Sequence, residues 1–166
     1  MKSLILYASK YGTTADCAKK LASLLKGETE VRDINGQSRV DFSSFDRIII
    51  GSSVYMGMVN KKIKNFCESN KIELLNKELV IFICSGIPEN FNAVIEANFS
   101  LEIRSHAIDL TYFGGELELS KMNFMDKTIA GLMAKQKGEN QPIVKIDAAA
   151  IRELAERLNE EGNSLV

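Results

Sequence analysis

The stretch Leu4-Ile5-Leu6-Tyr7-Ala8-Ser9-Lys10-Tyr11-Gly12-Thr13-Thr14 decides how this chain folds. An apolar run ends in a loop of small hydroxylated residues around one glycine, and a helix-patterned segment begins at once. A strand that stops at the N-terminus of a helix leaves backbone N–H groups without partners, and the helix dipole adds partial positive charge there. Such a place suits a phosphate. The hydroxyls of Ser9, Thr13 and Thr14 supply further donors, so the loop 9–14 is a candidate phosphate cradle. It carries neither G-x-x-x-x-G-K-S/T nor G-x-G-x-x-G, which argues against a P-loop and against the dinucleotide fingerprint.

Outward from that loop, strand-like runs alternate with helical patterns, the signature of βαβ units and a parallel sheet. The first strand covers about residues 2–8. The first helix covers about 14–26, with Cys17, Ala18, Leu21, Ala22 and Leu25 on one face and Gly27 as its stop. A weaker second strand lies near 30–33. The third, 47–51, carries Ile48-Ile49-Ile50 in a row, as a strand covered on both faces does. A helix over 61–69 follows, with Ile63, Phe66 and Cys67 inward. The fourth strand, 79–84, is fully apolar. A helix over 91–104 precedes a fifth strand over 107–113, and a last helix over 147–159 opens on Asp147 as its N-cap. The spacing predicts a single three-layer, doubly wound α/β domain over 1–166, with a five-stranded parallel sheet in the order 2-1-3-4-5. An insertion at about 114–146 interrupts it before the last helix.

In such a sheet, ligands bind beyond the carboxyl ends of the strands, where the strand order reverses. That rule selects the loops after strands one, three and four: 9–14, Ser52-Ser53-Val54-Tyr55-Met56-Gly57-Met58, and Ser85-Gly86-Ile87-Pro88-Glu89-Asn90. Together they can surround a phosphorylated, planar, largely apolar group. Tyr55 and Met56 offer flat or polarizable surface for a conjugated ring. Gly57 permits close approach and a change of peptide orientation with little steric cost.

The order strand, Ser9-Lys10-Tyr11-Gly12-Thr13-Thr14, helix, then Ile48-Ile49-Ile50-Gly51-Ser52-Ser53-Val54-Tyr55-Met56-Gly57 resembles flavodoxin-type FMN-binding domains across most of the chain. Within that superfamily it is similar to the menaquinone-dependent protoporphyrinogen oxidases. That likeness rests on Tyr11-Gly12-Thr13-Thr14, on residues 51–57, and on Gly114-Gly115-Glu116-Leu117 before a Met-rich segment. The resemblance implies a flavodoxin-like fold and FMN as cofactor. It would put Ser9, Lys10, Tyr11, Gly12, Thr13 and Thr14 at the phosphate, and Ser53, Tyr55, Met56, Gly57, Ser85 and Gly86 at the flavin ring. The implied activity is an oxidoreductase of heme biosynthesis passing electrons from a porphyrinogen to a quinone. The alternative is a flavodoxin-type electron carrier that serves a redox partner protein and has no substrate of its own. A third reading is a binding module that kept the fold and lost the flavin. Electron-carrier flavodoxins usually have threonine where Tyr11 stands and are strongly acidic, whereas this chain carries a net charge of −1. Both departures favour the oxidase-like branch.

That near-neutral charge also argues against nucleic acid as a partner. Apolar residues make up 45% of the chain, yet no run approaches a membrane span, and the expected setting is the cytoplasm. Three cysteines are too few and too scattered for a disulfide framework or a metal knuckle. Cys84 reads as a small core residue, and His106, the sole histidine, as a solvated one on the side opposite the site. No side chain reads as an acid–base catalyst, which fits a protein whose cofactor carries the chemistry. Met122, Met125, Ile129, Leu132 and Met133 recur at helical spacing, with Lys121, Lys127, Lys135 and Lys137 available for the polar side. That pattern predicts a helix over 123–136. It is expected to pack on the domain or on a second copy, or else to touch a membrane surface weakly.

Overall fold

Alternating apolar residues along each strand divide the interior of this protein into two cores. A computed structural model describes residues 1–36, 39–86, 88–115, 128 and 145–161. In chain order the elements are β1 (Lys2–Ala8), α1 (Thr13–Leu24), β2 (Glu28–Asp33), β3 (Arg47–Tyr55), β4 (Met58–Val59), α2 (Lys61–Ser69) and α3 (Lys71–Leu74). Then come β5 (Glu78–Cys84), α4 (Phe91–Asn98), α5 (Leu101–His106), β6 (Asp109–Tyr112) and α6 (Ala148–Glu161).

The sheet runs β2-β1-β3-β5-β6, all parallel, with β4 paired antiparallel to β3. With the two-residue β4 set aside, this is the order 2-1-3-4-5 that the sequence predicts. Ile5 stands opposite Ile49, and Ile49 opposite Val80, so the three central strands stack branched side chains in register. On one face Leu4, Leu6, Ile48, Ile50, Leu79 and Ile81 meet Ile63 and Cys67 of α2 and Val94, Ile95 and Ile103 of α4 and α5. On the other, Ile5, Ile49, Val80 and Phe82 meet Cys17, Ala18 and Leu21 of α1 and Ile151, Leu154 and Leu158 of α6. Parallel strands need long crossovers, and those crossovers are the helices that cover both faces.

Three local details differ from the sequence-based expectation. The predicted helix over 91–104 is two helices, because Phe99 and Ser100 are extended (ψ 139° and 157°) and Phe99 turns into the core. The third strand runs on to Tyr55, well past Gly51, and folds back as a hairpin. His106 ends α5 and hydrogen-bonds through Nε2 with the Lys77 carbonyl at 2.8 Å, so it is a fixed structural contact and not merely solvated. Asp147 does cap α6, its Oδ1 accepting from the N–H groups of Ala149 and Ala150, both at 3.0 Å.

The two ends of the 114–146 insertion are pinned together. Gly114 bridges Ile146, and the Asp147 N–H donates to the Phe113 carbonyl at 2.9 Å. Its interior, including the Met-rich segment 121–137 apart from residue 128, lies outside the described residues. Among the described residues no helix is long and apolar enough to cross a membrane.

Candidate functional site

A pocket opens at the carboxyl ends of β1, β3 and β5, where the strand order reverses. The loop after β1 contributes Ser9, Lys10, Tyr11, Thr13 and Thr14, the end of β3 contributes Ser53, Val54 and Tyr55, and β5 with its loop contributes Cys84, Ser85 and Gly86. Gly115 closes the far side.

At the β1 end, Gly12 is the N-cap of α1 with φ 99°, a left-handed conformation that favours glycine. Its N–H donates to Ser9 Oγ at 3.0 Å, which folds the loop back on itself. Glycine offers no capping side chain, and no side-chain cap bond closes this helix start among the described residues. The positive end of the helix therefore opens toward the pocket. Thr14 is fully buried, and its Oγ1 has no hydrogen-bond partner among the described residues. The Cys84 thiol stands beside it without making a normal hydrogen bond. A buried hydroxyl left in this state is worth about 1–3 kcal/mol of lost hydration, which a bound acceptor would recover.

At the β3 end the chemistry changes from polar to aromatic. The Lys10 ammonium lies over the Tyr55 ring, 4.1 Å from its centroid, and 5.3 Å from that of Tyr11. Beyond Tyr55 the chain reverses through Met56 (φ 51°) and Gly57 (φ 76°), the pair of positive φ angles that defines a type I′ hairpin. Asn98 of α4, almost fully buried, clamps this hairpin. Its Oδ1 accepts from the Val59 N–H at 3.2 Å, while Nδ2 donates to the carbonyls of Gly57 at 2.9 Å and Val94 at 2.8 Å. Ser52 Oγ accepts from the Asn60 N–H at 3.0 Å, closing the base of the same hairpin.

The third wall is equally constrained. The Tyr112 hydroxyl donates to the Ser85 carbonyl, and the Ser85 N–H donates to the Gly114 carbonyl at 2.9 Å. Burial pushes the Tyr112 phenol up to about 12, so it remains a donor at any physiological pH. Gly115 must be glycine, because a Cβ there would stand 2.5 Å from the Ser85 carbonyl carbon. Cys84 shares a hydrogen bond with Cys17 and is buried, and both effects hold its thiol well above the usual range. A protonated, buried thiol is inert, as the sequence reading had it. Among the described residues, no cluster of three or more His, Cys, Asp or Glu could hold a metal ion.

The structure thus gathers Ser9, Lys10, Tyr11, Thr13, Thr14, Ser53, Tyr55, Ser85 and Gly86 around one space. Gly12 supports the loop from behind, and Met56 and Gly57 form the exposed hairpin tip beyond the lining. Sequence reasoning placed Val54 in the second loop without naming it as a contact, and missed Cys84 and Gly115 as wall residues. Adjacency to the loop that starts at Ser85 could have flagged Cys84, and the Gly114-Gly115 pair Gly115. The site is an anion-suited end joined to an aromatic end.

The chain matches the flavodoxin domain family over residues 4–142. Among curated proteins it is 29% identical over 91 residues to a flavodoxin-like domain-containing protein, BilS, of Clostridioides difficile, covering 54% of this chain and 49% of that protein. It is also 29% identical over 77 residues to protoporphyrinogen IX dehydrogenase [quinone] of Escherichia coli K12, covering 45% and 42% respectively. The chain spans about half the length of these curated relatives. Among solved structures, a short-chain flavodoxin associated with a bacterial microcompartment superposes with a TM-score of 0.63 at 13% identity, covering 97% of this chain and 98% of that one. A Fusobacterium nucleatum flavodoxin bound to flavin mononucleotide gives 0.56 at 12% identity, with coverage of 96% and 98%. At these identities the superpositions show the fold alone.

Proposed function

From a chain that belongs to the flavodoxin domain family, we propose an FMN-dependent oxidoreductase that passes electrons from a porphyrinogen to a quinone. The observation that carries the cofactor assignment is the unpartnered, fully buried Thr14 hydroxyl beside the open N-terminus of α1. A phosphate is the acceptor such a place lacks. FMN fits the remaining walls as well. Tyr55 presents an aromatic face, and the glycines at 86 and 115 leave backbone exposed for close approach.

When bound, the flavin supplies the hydride or electron chemistry. The chain's own residues bind, orient and shield. Ser9, Thr13 and Thr14 offer hydroxyls at the phosphate end, and Lys10 adds positive charge close to Tyr55. Asn98 and Tyr112 hold the two flanking loops in place from beneath. The porphyrinogen and quinone rest on the likeness to the Escherichia coli dehydrogenase and on Tyr11 in the phosphate loop. An electron carrier with no substrate of its own is the second reading. It follows from the flavodoxin domain family match over residues 4–142, which by itself calls for no further substrate.

Two measurements test these readings. The purified protein should take up one FMN, and Thr14→Val should weaken that binding by about tenfold or more while leaving the fold intact. A colourless protein that fails to take up FMN would overturn the cofactor reading. The loaded protein should then oxidise protoporphyrinogen anaerobically with a menaquinone analogue. Turnover no faster than free FMN, with reduction proceeding in separate one-electron steps, would favour the carrier.

A further inference from the structure

The mouth of the pocket carries features that holding a flavin does not require. Met56 is 68% exposed and Met58 49% exposed at the hairpin tip. Beside them α2 begins with Lys61 and Lys62 exposed and Lys64 half-buried. No Asp or Glu occurs between Asp46 and Glu68, and the first turn of α2 holds no acidic residue. Among the described residues, Asp16 and Asp33 act on Tyr7, and Glu89 and Asp147 on Tyr112. The β3–α2 side of the mouth is therefore cationic and methionine-tipped.

Both features work against local stability. Cations in the first turn of a helix oppose its dipole. Met56 is a non-glycine residue at positive φ, and most of its apolar side chain faces water. Local rules broken side by side at the rim of a pocket mark a surface kept for contact.

We propose that the hairpin tip and the N-terminus of α2 form a docking surface for an acidic redox protein, which exchanges electrons through the pocket mouth. Carboxylates of the partner meet Lys61 and Lys62, and the two methionines adapt their apolar side chains to its surface. Lysines on a rim act chiefly on encounter rate, and a patch this small suits a transient complex. The proposal rests on the flavin reading of the pocket and does not depend on a porphyrinogen substrate.

Ferric cytochrome b5, an acidic haem protein, is the probe, and basic cytochrome c is its control. Each haem takes one electron, so two haems are reduced for each fully reduced flavin. In stopped-flow mixing with the photoreduced FMN protein, the rate with cytochrome b5 should fall about tenfold as ionic strength rises from about 20 to about 200 mM. The double reversal Lys61→Glu with Lys62→Glu should lower the low-salt rate by a similar factor, leave FMN affinity unchanged and raise the rate with cytochrome c. NMR amide shifts on titrating cytochrome b5 into the protein should concentrate at residues 56–64 and vanish in the reversed variant. That arm needs no flavin, so it decides the docking surface even if the protein takes up no FMN. Shifts centred on another face, a rate insensitive to salt, or reversal that slows ferricyanide but not cytochrome b5 would each overturn the proposal.

Discussion

Single residues set the chemistry of this pocket, and three of them show how. Gly12 gives up a capping side chain so that the start of α1 stays open, and Ser9 Oγ holds the loop around it. Both roles are legible in the strand–glycine–helix pattern. Thr14 is different. The sequence marks its hydroxyl as a donor, but only packing shows that it is buried and unsatisfied. Cys67 is the third, a core thiol of α2 that burial pushes up to about 12, well above the usual thiol range. The folded protein therefore keeps this proton between about pH 9 and 12, where the unfolded chain releases it. That contribution to stability is complete below pH 9 and is lost as pH rises toward 12. We expect the urea midpoint of the wild type to decline relative to Cys67→Ala across that window, with a slope of at most about 1.4 kcal/mol per pH unit. Parallel pH profiles of the two proteins would refute the assignment.

Elements are legible in the sequence where one face is apolar and not where a turn depends on a distant partner. α2 begins and ends at the predicted residues because Ile63 and Cys67 recur at helical spacing and Asn60 caps it, accepting from the Lys62 N–H at 2.9 Å. The sequence predicts only a loop where β3 and β4 form a hairpin. Its type I′ turn places methionine at a position that ordinarily takes asparagine or glycine, so local propensity gave no signal. Asn98, nearly forty residues on, holds it instead. Asn98→Ala should strand the Val59 N–H and the Gly57 carbonyl, costing about 2–4 kcal/mol. Denaturant unfolding measures that loss, and the Val59 amide should exchange faster than those of β1. An unchanged midpoint would mean that the hairpin is self-sufficient.

At the scale of the molecule, a buried arginine with a half-buried carboxylate partner ties the last helix to the sheet. Arg47, 2% exposed, pairs with Glu78 at 2.8 Å across β3 and β5 and donates through Nη2 to the Leu158 carbonyl of α6 at 3.1 Å. Nothing local in the sequence announces that contact, since its partners lie 31 and 111 residues away. Arg47→Ala leaves a carboxylate and a helix carbonyl without their donor and should destabilise the fold by about 3–5 kcal/mol. Arg47→Met keeps the volume but not the charge, and combined with Glu78→Gln it should recover much of that loss. If the single and double variants unfold at the same denaturant concentration, the pair is not coupled. The insertion returns to the domain at the same end as the pocket, since Gly114 bridges Ile146 and accepts from the Ser85 N–H.

The sequence by itself determined the alternation of strands and helices, the strand order and the three loops that meet at the switch point. Those follow from periodicities of two and of about 3.6 residues and from the rule for parallel crossovers, which act over short stretches of chain. Tertiary structure alone decided that Thr14 is buried without a partner, that Asn98 clamps the hairpin, and that Val54, Cys84 and Gly115 wall the pocket. It also brought Lys10 to the Tyr55 ring and left Met56 and Met58 exposed at the mouth. The reason is physical: burial, hydrogen-bond satisfaction and proximity depend on residues far apart in the chain, and no local pattern encodes them.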